Sequence, residues 1–213
     1  MPLQNRFTAL QTEEERPVAS GETLEPSKAA QSAPCKTTSA TKKRRRVIVV
    51  GNSLLRGREA LICQPDALSR EVCCLLVARI RNVTERLPSF VQSTAYYPLL
   101  LFHVGTSDTA RSSLRSIKKD YRALGVVVRN SGAQVVFSSI LPVKGKGSER
   151  ASRIWRINKW LRDWCHSQGF GYLDHGTRFE KPGLLGADGV HLSEKGKSIF
   201  GHRLAKLVKR ALN

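Results

Sequence analysis

From Val47 to the end of the chain, short apolar runs alternate with stretches whose apolar residues recur at helical spacing. This alternation restricts the fold more than any other feature. The runs are Val47–Val50, Val72–Leu76, Leu99–Val104, Val135–Ile140 and Phe170–Leu173. Each is short and mainly apolar, as strands covered on both faces of a parallel sheet are. Between them, Leu114, Ile117, Tyr121, Leu124 and Val128 fall on one helical face, and Ile154, Ile157, Leu161 and Trp164 on a second. Phe200, Leu204, Leu207, Val208 and Ala211 make a third. Strand and helix in alternation demand right-handed crossovers, so the expected architecture is one doubly wound α/β domain with a mostly parallel sheet of five strands. Ligands in such sheets bind beyond the carboxyl ends of the strands.

The chain of 213 residues divides on composition. Residues 1–44 carry Glu13-Glu14-Glu15, prolines 17, 26 and 34 and many small polar residues, and are expected to form a disordered tail. Residues 45–213 form the expected domain. The boundary is the run Lys42-Lys43-Arg44-Arg45-Arg46, which reads as an import or nucleic-acid signal and equally as a solvated flank that keeps the first strand soluble. No apolar run reaches the ~18–20 residues of a membrane span, and the first residues lack the apolar block of a signal peptide. The expectation is an intracellular protein, cytoplasmic, or nuclear if the basic run is an import signal. The five cysteines (35, 63, 73, 74 and 165) show no C-x-x-C pair and no matching His spacing, so neither a disulfide framework, nor a metal, nor a cofactor is expected. Lys and Arg number 36 against 17 Asp and Glu, a net charge of +19, which points to an anionic partner and names no site.

The strand-end rule selects three loops: Gly51-Asn52-Ser53-Leu54 after the first strand, Gly105-Thr106-Ser107-Asp108 after the third, and Asp188-Gly189-Val190-His191 after the last. A small residue before a serine lets the backbone turn and present the hydroxyl at the sheet edge. Asp188 and His191, three apart, project from one side of a tight turn. The carboxylate then fixes the imidazole tautomer while the other ring nitrogen accepts the Ser53 proton. A rival set, Ser138 or Ser139 with Asp174 and His175, also lies at strand ends, although adjacent residues of a strand face opposite ways.

Together these three blocks resemble the SGNH (GDSL-type) hydrolases, and are most similar to the esterase domain in the first open reading frame of LINE-type retrotransposons. The resemblance covers Arg45 to Asn213. It implies a flavodoxin-like sheet and metal-free hydrolysis of acyl esters, with Ser53 as nucleophile, His191 as general base and acid, and Asp188 orienting His191. The sequence departs from the family pattern at three positions. Asn52 stands where the family has Asp. Val77 aligns with the glycine whose N–H serves the oxyanion. Ser107 replaces the asparagine of Gly-x-Asn-Asp, whose amide supplies the last oxyanion donor. The resemblance therefore implies a complete triad and a degraded oxyanion hole, with weakened or lost activity as a consequence.

A second class of function is a catalytically inert basic module that binds RNA or DNA without sequence preference. Arg150, Arg153, Arg156, Lys159 and Arg162 recur every third residue, a step that slips ~60° per repeat on a helix and so draws a spiral stripe. Trp155, Trp160 and Trp164 read as packing residues before base-stacking ones. His103, inside an apolar strand, reads as a core histidine, and His166 and His202 as exposed.

Overall fold

In the computed structural model, the described residues are 45–64, 68–75, 79–91 and 98–212. The expected tail, 1–44, and Val77 lie outside them. Five strands form the sheet: β1 (Val47–Gly51), β2 (Arg70–Cys74), β3 (Leu99–His103), β4 (Gln134–Ser138) and β5 (Gly171–Leu173). Six helices accompany them: α1 (Glu59–Cys63), α2 (Ile80–Val91), α3 (Thr106–Arg111), α4 (Leu114–Arg129), α5 (Ser148–Gln168) and α6 (Glu194–Leu212). The strand order is β2-β1-β3-β4-β5, with every neighbouring pair parallel. This is the flavodoxin-like order, whose ligand crevice opens where the winding reverses, between β1 and β3. Among the described residues, no helix is long and apolar enough to cross a membrane.

Alternation along the strands divides the core into two layers. Ile48, Val50, Leu100, Phe102, Val135 and Phe137 pack against α2, α4 and α5 through Ile80, Val83, Ile117, Tyr121, Ile157 and Leu161. The opposite residues, Val47, Val49, Leu101 and Val136, are equally buried and face the side where α1 and α6 pack together. Each such Leu, Ile or Phe, fully buried, is worth roughly 1.5–3 kcal/mol. Gly125 permits the close approach of α4 to α5, because a Cβ there would lie 2.7 Å from the Trp164 ring. Trp164 in turn stacks on Trp160 with centroids 5.4 Å apart. Trp155 departs from the packing expected of it: it is 64% exposed, with the Lys159 ammonium 5.6 Å from its ring.

A polar pocket is sealed inside the second layer. His103, at the end of β3, shares a hydrogen bond of 2.7 Å between Nδ1 and the Ser138 hydroxyl on β4, and its Nε2 has no partner. His175 lies across from it, ring centroids 5.8 Å apart, with both ring nitrogens unpartnered. Phe179 and Phe200 pack on the pair, and Arg203 of α6 adds a like charge beside His175. Burial holds His103 neutral, its pKa lowered to about 3, and holds His175 well below the usual histidine range. Asp108 runs the other way, since burial raises its pKa to about 6.

These shifts predict how stability responds to acid. Below about pH 6.5 the unfolded chain binds protons that the folded histidines refuse, so their contribution is complete above that pH. It declines as the pH falls toward 3, by about 1.4 kcal/mol per unit for each histidine. Asp108 takes its proton first in the folded state, and between about pH 6 and 4 it offsets one histidine. The expected net loss from pH 7 to pH 5 is about 3 kcal/mol, read from urea unfolding. A stability that is flat across this interval contradicts the assignment.

Candidate active site

The parallel register brings the first and third loops to the same edge. Gly51 pairs with His103 and, on its other side, with Cys74. Two residues beyond Gly51 stands Ser53, and two beyond His103 stands Gly105, so both chains leave the sheet side by side at its carboxyl end. Ser53 opens a 3-10 turn, Ser53–Leu55. Asn52 caps that turn, its side-chain oxygen accepting the Leu54 N–H at 3.1 Å. The amide thus performs the local capping that a carboxylate would, and it is buried while doing so. The first N–H groups of a helical turn have no intrahelical acceptor, which leaves the Ser53 N–H available to an approaching anion.

His191 reaches Ser53 from the last loop. Its Nε2 lies 3.4 Å from the Ser53 hydroxyl, and its Nδ1 is hydrogen-bonded to Asp188 Oδ2. The other oxygen of Asp188 accepts the backbone N–H groups of Val190 and His191, both at 2.9 Å. The bond to the imidazole, reinforced by these two N–H groups, holds the Asp188 carboxyl well below the usual range. Asp188 is therefore ionised and its orientation fixed from both sides. The imidazole and the carboxylate remain 57% and 47% exposed, so the site is open to solvent.

The turn that carries Asp188 and His191 is locked against the loop after β4. Lys144 donates its N–H to Gly189 O at 2.7 Å, while Gly186 O accepts the Gly189 N–H at 3.0 Å. Gly189 has φ +68°, and a Cβ there would stand 2.1 Å from Lys144 O. Gly189→Ala therefore forces the two loops apart and strains the backbone. The expected result is a loss of about 2 kcal/mol in urea unfolding together with impaired turnover, because the displaced turn carries both Asp188 and His191. A variant with wild-type stability and activity contradicts this packing.

Of the two expected oxyanion positions, only Ser107 is described. It lies in the first turn of α3, partly buried, directly after Thr106. Asp108 follows it, almost fully buried, and its Oδ2 accepts the Ile80 N–H at 3.3 Å, which ties the start of α2 to the start of α3. Motif reading gave Asp108 no role. A carboxyl at the first turn of a short helix was visible in the sequence, but its burial was not. The rival serine set does not assemble. Ser139 Oγ accepts the His175 backbone N–H at 2.9 Å, Asp174 is ion-paired with Arg162, and the His175 ring bonds neither. Among the described residues, no group of three or more His, Cys, Asp or Glu is placed to hold a metal ion.

The cationic stripe on α5 separates into parts. Arg150 donates to Thr106 O at 3.0 Å, and Arg153 to Thr109 O at 2.9 Å and Ser112 O at 3.3 Å, so both staple α3 to α5. Arg162 pairs with Asp174 and covers the Tyr172 ring at 5.6 Å. Arg156 and Lys159 face solvent beside the exposed Trp155.

No family model matches the chain and no curated protein does. Solved structures do match it. One is a member of the lipolytic protein G-D-S-L family from Veillonella parvula, at 14% identity over 78% of this chain and 99% of that one, with a TM-score of 0.67. A second is the lipase/acylhydrolase from Enterococcus faecalis, at 18% identity over 79% and 97%, with a TM-score of 0.63. A third is the esterase domain of the ZfL2-1 ORF1 protein from a zebrafish retrotransposon, at 30% identity over 77% and 98%, with a TM-score of 0.44.

Proposed function

We propose that this chain, which has the fold of the SGNH (GDSL-type) hydrolases, hydrolyses carboxylic esters through an acyl-enzyme on Ser53. The observation that carries the reading is the continuous chain from Ser53 Oγ through His191 to Asp188 at the carboxyl edge of the sheet. Ser53 Oγ attacks the ester carbonyl while His191 Nε2 takes its proton, and the 3.4 Å separation closes when substrate binds. Asp188 keeps the Nδ1 proton in place and stabilises the imidazolium. The imidazolium then protonates the departing alkoxide, leaving the acyl group on Ser53. Water, deprotonated by His191, attacks that acyl group and releases the acid. The Ser53 N–H and the Ser107 hydroxyl are the donors we assign to the oxyanion, with Val77 at the remaining family position. A serine at 107 reaches less far than an amide, which is the basis for a degraded oxyanion hole. The retrotransposon origin of the domain and an intracellular location belong to the same proposal and rest on motif resemblance and composition. The test is turnover of p-nitrophenyl acetate by the purified chain, which the reading predicts to exceed that of an equal concentration of free imidazole. Turnover no faster than that removes the esterase reading.

The alternative reading, non-specific nucleic-acid binding, is favoured by one observation. Trp155 is 64% exposed, with the Lys159 ammonium over its ring and Arg156 next in sequence, on a chain of net charge +19. It requires affinity for unrelated RNAs that falls steeply with salt.

A further inference from the structure

Each of the three loops that build the site carries a cation or has one bonded to its backbone. Arg56 closes the 3-10 turn that Ser53 opens, its backbone N–H bonded to Ser53 O at 3.2 Å. Lys144 is pinned to Gly189, the residue after Asp188, by its N–H at 2.7 Å. Arg150 sits on Thr106 O at 3.0 Å, one residue before Ser107. Lys146 extends from the same exposed loop as Lys144. The carboxylates of this edge are mostly committed elsewhere. Asp188 is bound to His191, Glu149 to Arg153, and Glu194 to both Arg58 and Lys197, while Asp108 is buried. Glu59 on α1, near the Cys74 thiol that Arg56 also neighbours, and Asp120, near Asp108, form no ion pair among the described residues. Arg56, Lys144, Lys146 and Arg150 likewise pair with no carboxylate among the described residues. An open site whose loops and their neighbours carry four such cations attracts anions and raises their local concentration, an effect that salt screens over about 8–10 Å.

We infer that the esters this site prefers carry a negatively charged group, carboxylate or phosphate-like, held by Arg56 and Lys144 beside the scissile bond. The inference rests on the esterase reading and names its substrate class. Neutral esters reach the same nucleophile without this attraction, and cationic esters are repelled. Arg150 is bound to the α3 backbone and sets the local potential from a fixed place, whereas Arg56 and Lys144 are exposed.

The test compares acetate esters of one nitrophenol that differ only in the substituent para to the ester. These are 4-acetoxy-3-nitrobenzoate, its amide, the corresponding phosphonate, and the trimethylammonium-methyl analogue. The expected order in kcat/KM is the two anions, then the amide, then the cation, with about a tenfold step between anion and amide at low salt. The carboxylate and phosphonate arms show which anion fits better. Arg56→Gln/Lys144→Gln should reduce the step to twofold or less. Lys209→Gln, 15 residues along α6 from Glu194 and hence ~22 Å away, should leave it intact. Equilibrium binding of the product phenols to Ser53→Ala reads the same preference without turnover. If that protein binds the anionic phenol tenfold tighter than the amide while no ester is hydrolysed, the anion preference of the site stands and the esterase reading falls. Equal binding of the two phenols, or a preference that survives in Arg56→Gln/Lys144→Gln, overturns the inference.

Discussion

Ser53→Ala and His191→Ala are each expected to lower ester turnover by a factor of about 10⁴ or more, because a triad acts as a unit and losing either partner removes the same step. In the proposed mechanism Ser53 supplies the attacking oxygen and His191 the base, whose Nε2 lies 3.4 Å from that oxygen. Both side chains are at least partly exposed, so truncating them removes little packing, and the variants should unfold at the wild-type urea concentration. Asp188→Asn should cost about as much through a different route. The amide accepts the backbone N–H groups as before but favours the wrong imidazole tautomer. Wild-type turnover in any one of these folded variants moves the chemistry elsewhere.

The second large effect runs upward. If Ser107 occupies the place of a longer amide donor, Ser107→Asn should raise kcat by about 10²-fold, the usual worth of one oxyanion donor. KM should change little, because the donor addresses charge that develops only in the transition state. Ser107 is partly buried in the first turn of α3, and that turn is held by Arg150 on Thr106 O and by Asp108 on the α2 start. The added amide therefore enters a turn that is already fixed. Asn52→Asp should do much less, since Asn52 already caps the Ser53 turn through Leu54 N–H. The measurement is kcat and KM of the three proteins on one p-nitrophenyl ester. An unchanged kcat in folded Ser107→Asn shows that position 107 does not face the oxyanion.

The sheet was legible because most of its strands are largely apolar runs, and the one such run inside a helix, Ala123–Val128 of α4, belongs to a longer face of helical spacing. All five expected runs correspond to strands, and the parallel order follows from the crossovers. The edges were less legible. β2 begins at Arg70, two residues before the expected Val72, because the Arg70 guanidinium turns inward to the carbonyls of Ile62 and Gln64 at the end of α1. That is a tertiary contact, invisible to hydropathy. The stripe on α5 misled for a similar reason. A threefold recurrence of cations describes sequence, whereas the structure ties Arg150 and Arg153 to α3 and leaves Trp155, Arg156 and Lys159 to solvent. Helices α1, α2 and α3 gave no expected face, being short or, in α2, interrupted by Pro88. The residues of the proposed triad could be paired in advance because Asp188 and His191 are local to one turn, and because strand order places Ser53 at the same edge.

The central claim is that Ser53 is an activated nucleophile, and covalent labelling tests it most directly. A fluorophosphonate reacts when a deprotonated serine oxygen displaces fluoride at phosphorus, and the adduct remains on the residue that attacked. Peptide mapping by mass spectrometry is expected to find one adduct per chain, on Ser53, and none in Ser53→Ala or in His191→Ala. An adduct on another residue, or ester turnover by a chain whose Ser53 stays unlabelled, contradicts the account.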